Sequence, residues 1–191
     1  METEKIELNL HDYLTGFNEL LLSDGFKERF VMEKSPHEQG DYDTLVLYNL
    51  NDKNKIISFI DNSCSYPGGV LYWFNTHQHF DFFDSTEDRS DIQENLMSVY
   101  ETIKDILQDK LIEIRQDHEV KRGCVFDIFM NPDSLQYGKE ERKYLSLPGI
   151  SFMNWSGNIT ENMKLFAIGF FLTKMPEIIK KRKEDLESEL Y

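Results

Sequence analysis

The sequence predicts an α+β fold, a mainly antiparallel sheet with helices packed on it, in a single domain over residues 1–191. Three observations lead there. Hydrophobic residues recur at helical spacing near the start and then switch to strand-like runs from Phe26 onward. The strand candidates are joined by short turn-forming connections, which favour antiparallel neighbours. No repeat, low-complexity tract or Pro/Gly/Ser-rich linker divides the chain. A hydrophobic content of 40%, with 13% aromatic residues, is ample for a buried core.

The elements follow in order. Tyr13, Phe17, Leu20 and Leu21 form one helical face, and Ser23-Asp24-Gly25 ends that helix. Phe26 to Glu33 reads as a first strand, followed by a polar loop from Pro36 to Asp43. Thr44 to Leu50 and Lys55 to Asp61 are two more strands, and the turn formers Asn51 to Asn54 between them predict a hairpin. After Pro67-Gly68-Gly69, one long strand is expected from Val70 to Phe80. Ser90 and Gln93 have capping-box spacing, and Ile92, Leu96, Val99, Ile103 and Ile106 make one apolar stripe behind them, so this helix is expected to cover the sheet. Leu111 to Arg115 alternates like a half-buried strand. Cys124 to Met130 is a further strand stopped by Asn131-Pro132-Asp133, and two short strands flank Pro148-Gly149. Thr160 is placed to cap a last helix through Thr173, which Pro176 interrupts ahead of a charged tail.

Composition narrows the function classes. The chain has 35 acidic and 21 basic residues, a net charge of −14. Residues 1–100 hold 19 acids and 7 bases, a net of −12, whereas residues 101–191 hold 16 and 14, a net of −2. Such a field repels nucleic acid and anionic membranes and speeds encounter with a basic protein, although solubility alone also explains it. The first residues lack the positive start and apolar stretch of a signal peptide, and the apolar run Met163 to Met175 is interrupted by Lys164 and Lys174. A cytoplasmic chain is the expectation. Cys64 and Cys124 form no Cys-x-x-Cys pair and read as reduced thiols.

One run has chemical character. On a strand continuing through residue 81, Trp73, Asn75, His77, His79 and Asp81 share one face, with Tyr72, Phe74, Thr76 and Phe80 on the other. His-x-His on a strand projects two imidazoles the same way, as many metal sites require. A hydrolase using the His77/His79/Asp81 face is therefore an alternative reading. Its completion would need further histidines, and downstream of the run only His118 remains. No nucleophile-elbow, phosphate-loop, dinucleotide or His-Glu-x-x-His signature occurs. The expectation is no metal and no cofactor. Asp81, Asp84, Glu87, Asp88 and Asp91 then follow within eleven residues, opposed only by Arg89. Acids at a helix start oppose its dipole, which accounts for Asp88 and Asp91 better than for Asp81 and Asp84. A surface of Trp73, His77, His79, Asp81, Asp84 and Asp88 therefore reads as a partner-binding site, with an aromatic anchor and charges for steering.

Val70 to Phe80, ending His77-Gln78-His79-Phe80, precedes the Ser90 helix and then Leu111-Ile112-Glu113-Ile114. That order resembles a group of small bacterial immunity proteins of polymorphic toxin systems, over about residues 70–115. Members of the group pair a strand ending in His-x-His-Phe with a helix and a short strand. The resemblance implies function by binding: neutralising a cognate toxin in the cytoplasm, without catalysis or cofactor. Many such toxins are basic nucleases, which suits an acidic binder.

Overall fold

The computed structural model describes residues 10–36, 42–61, 68–81, 90–116, 124–129 and 150–169. The fold is α+β, and every strand pairing among these residues is antiparallel. The chain forms two compact units, residues 1–108 and 109–191. No linker composition marks that boundary. It falls at the tight exit from a helix, where Asp109 has a positive φ of 56°.

The first unit opens with α1 (Leu10–Ser23), whose buried face is Tyr13, Phe17 and Leu21. Gly25, at φ 81°, takes the left-handed conformation that a helix end favours. Its N–H donates to the Leu22 carbonyl, and the Phe26 N–H donates back to the Leu21 carbonyl. This double closure makes Phe26 part of the helix cap. It is why the first strand, β1 (Phe30–Ser35), starts four residues later than the sequence predicts. The side chain of Asn18 fixes that start. Its amide donates to the Phe30 carbonyl at 3.0 Å and its oxygen accepts the Phe30 N–H at 2.8 Å.

β2 (Tyr42–Tyr48) and β3 (Ile56–Asp61) form the expected hairpin. The buried Asn49 holds its turn, accepting the N–H groups of Asn51 and Asp52 at 2.8 and 3.0 Å. Tyr42 and Asp43, expected in a loop, already belong to β2. The expected long strand is two strands, β4 (Gly68–Trp73) and β5 (Thr76–Asp81), reversed at Phe74-Asn75. All five lie in the order β1-β2-β3-β4-β5.

Registered partners across an antiparallel sheet share a face. Phe30, Leu47, Ile57 and Trp73 therefore form one row, and Leu45, Phe59 and Leu71 belong to the next. All are buried. Tyr13 and Phe17 of α1 meet this face, with ring centroids 5.2 and 5.6 Å from Phe59, and Phe17 lies 5.3 Å from Phe30. Helix α1 thus supplies ring contacts to this face of the sheet. α2 (Ser90–Leu107) joins α1: a Cβ built on Gly16 collides with Leu96 Cδ1, so the missing side chain allows the helices' close approach. Asp24 ties them further, accepting the Tyr100 hydroxyl at 2.9 Å and pairing with Lys104 at 2.8 Å. Val99, Ile103 and Ile106 are buried as expected, and Tyr100 and Leu107 join them. The Ser90 and Gln93 side chains lie outside the described residues.

The second unit has a sheet ordered β7-β6-β8, from β6 (Leu111–Gln116), β7 (Cys124–Phe129) and β8 (Ile150–Met153). Alternation predicts a half-buried β6, yet Leu111 through Ile114 are all buried, Glu113 included. Both faces of this central strand are covered. Thr160 caps the helix at residues 161–169, its hydroxyl accepting the Met163 N–H at 3.3 Å. Phe166, Ala167 and Ile168 of that helix form a core with Ile112 and Ile114, flanked by Ile150 and Phe152. The strand expected before Pro148, the helix beyond residue 169 and the charged tail lie outside the described residues.

Candidate functional site

The turn between β4 and β5 decides the site. Phe74 has φ 48°, a conformation that side-chain-bearing residues adopt rarely and that reverses the chain within two residues. Reversal changes the parity. Trp73 registers with Thr76, Tyr72 with His77, Leu71 with Gln78 and Val70 with His79. Tyr72, His77 and His79 therefore share one face, and Trp73 belongs to the other.

This corrects the expected grouping of Trp73 with the two histidines. Trp73 is 4% exposed and belongs to the core, and its indole N–H finds no acceptor among the described residues. Tyr72, expected inside, is 39% exposed and takes the place assigned to Trp73. Its ring stacks on His77, with centroids 5.3 Å apart and planes 29° apart, and His77 meets His79 edge-on at 5.1 Å. The three rings form a continuous aromatic row. Asp81 ends β5 in register with Gly68. Asp84 and Asp88 lie outside the described residues.

The same face carries a signal that the sequence conceals. Val31, Val46, Ser58, Tyr72 and His77 form one row across all five strands, and Tyr48 and Ile56 lie beside it nearer the turns. Val31, Tyr48, Ile56 and Tyr72 are exposed, and Tyr48 donates a 2.8 Å hydrogen bond to Glu33. That bond holds the Tyr48 hydroxyl above the usual phenol range. Near-continuous apolar sequence in β2 and β3 hides which residues face out. The strand register reveals it: Val46 and Val70 of this face are buried, and Val31, Tyr48, Ile56 and Tyr72 stand exposed around them, exposed aromatic and aliphatic groups of a kind that contact surfaces carry.

Chemically, the row offers two imidazoles on β5 and one phenol on the neighbouring β4. Among the described residues no group of three or more His, Cys, Asp or Glu side chains is placed to hold a metal ion. Among them too, no helix is long and apolar enough to cross a membrane. No protein-family model, curated protein or solved structure matches the chain.

Proposed function

We propose that this chain is a non-catalytic binding protein that holds a basic protein partner, and that the partner is a toxin for which the chain is the immunity protein. The observation that carries the reading is the exposed Tyr72–His77–His79 row, set in the more acidic part of the chain. Aromatic rings supply contact area at small entropic cost and attract Arg and Lys through their faces, and surrounding acids steer a basic protein toward them. The resemblance over residues 70–115 supplies the biological class, and a cytoplasmic site of action belongs to it.

The experiment is kinetic binding to the protein encoded directly beside this chain's gene, with folding of each variant checked first. Charges separated by more than about 8 Å are screened at physiological salt, so association should slow as salt rises. Replacing Asp81 and Asp84 by Lys should mainly slow association. Tyr72→Ala should mainly speed dissociation, because it removes the anchor. Association indifferent to both salt and charge reversal would refute the electrostatic part, and absence of any complex would refute the binding reading.

A further inference from the structure

Resting on that reading, we infer how the partner is held: the outer edge of β5 is a strand-addition site that takes an extended, basic segment of the partner as a sixth strand of the sheet. Among the described residues no strand pairs with that edge, since β5 is last in the order. His77, Gln78 and His79 are three successive exposed residues whose side chains alternate between the two faces. All three side chains are exposed, and among the described residues no strand lies against the edge beside them.

Backbone geometry makes the edge competent. In a two-residue hairpin the flanking pair, here Trp73 and Thr76, closes the ladder, and hydrogen-bonded and non-hydrogen-bonded pairs then alternate. Gln78 and Phe80 thus bond toward β4, and the N–H and C=O groups of His77 and His79 point outward. Natural sheets blunt such edges with lysine, proline or bulges, or by occupying the backbone groups. The opposite edge is treated in this way: Asn18 occupies both backbone groups of Phe30, and β1 carries Glu33 and Lys34. β5 reads Thr76-His77-Gln78-His79-Phe80-Asp81, with neither lysine nor proline.

Charge selects the occupant. The first unit, residues 1–108, holds 21 acids and 8 bases, a net of −13, so a basic strand is attracted and a second copy of this chain is repelled. An incoming strand places alternate side chains beside His77 and His79, from where a long Lys or Arg reaches toward Tyr72, the one cation–π acceptor of the three rings.

Amide hydrogen exchange on the full chain, alone and with the neighbouring gene's product, tests this. Free, the His77 and His79 amides should exchange quickly and those of Gln78 and Phe80 slowly. In the complex, the His77 and His79 amides should slow by about tenfold or more. His79→Pro, which deletes one outward N–H and no ladder bond, should leave the fold cooperative and speed dissociation about three- to tenfold, the worth of one backbone hydrogen bond. His79→Ala, which keeps that N–H, should have the smaller effect. A complex that leaves both amides fast overturns strand addition and spares the binding reading. Failure of the wild-type chain to form any complex overturns the binding reading itself.

Discussion

Phe74 turns β4 into β5 with a φ of 48°, and that one dihedral exchanges the roles of its two predecessors. Trp73 enters the core and Tyr72 joins the histidines. The exchange has opposite consequences for stability. Trp73→Ala should cost about 3–5 kcal/mol, the range for emptying a large aromatic site. Tyr72→Ala should cost about 1 kcal/mol, because a half-exposed ring loses mainly its cross-strand partner. Urea melts of the two variants check this, and the reverse order would put the β4–β5 register in error. Asn49 is a second decisive residue, because one buried side-chain oxygen serves two turn N–H groups. Asn49→Ala should cost about 1–3 kcal/mol by leaving those donors without a partner, again measurable by urea melt.

Among the elements, α2 is held by two kinds of contact. Ile103 is fully buried, so Ile103→Ala should lower stability by about 2–5 kcal/mol. The Asp24 contacts are electrostatic. Hydrogen bonds from Lys104 and Tyr100 hold the Asp24 carboxyl below its ordinary value of 3.8. A carboxyl depressed by folding adds stability above its unfolded pKa, and that stability is lost as pH falls through the folded value. Asp24→Asn should therefore be less stable than the wild type at neutral pH, and the gap should close in acid below about pH 4. A pH series of melts in which the gap stays constant would remove the ionic contribution. Both helices of the first unit were legible in the sequence because each carries an apolar stripe at helical spacing. The β2–β3 hairpin was legible because four turn formers interrupt two apolar runs. The β4–β5 hairpin was not: its turn contains Phe74 and a single Asn, with no glycine to announce a positive φ. The start of β1 was hidden for the opposite reason, since Phe26 looks like a strand residue and is recruited by the helix cap. The site was therefore legible in part. Its histidines and their alternation could be read directly, but the ring beside them depended on a turn that only the fold reveals.

For the whole molecule, the division into units coincides with a division of charge. Residues 109–191 hold 14 acids and 13 bases, a net of −1, so nearly all of the net −14 resides in residues 1–108. That unit also has its own aromatic core, in which Tyr13, Phe17, Phe30 and Phe59 contact one another between α1 and the sheet. Its sheet is a meander of neighbouring strands, and such local pairings form without any strand from the rest of the chain. Residues 1–108 expressed alone should therefore melt cooperatively, which differential scanning calorimetry can establish. Concentrated like charge opposes that compactness, so the isolated unit should gain stability as salt rises, through screening over about 8–10 Å. The same screening slows encounter with a basic partner, so in one salt series stability and association rate should move in opposite directions. If the two instead rise together, or the isolated unit gives no cooperative transition, then the acidic charge is not organised as a steering field on a self-sufficient sheet, and the binding surface must be sought with the second unit present.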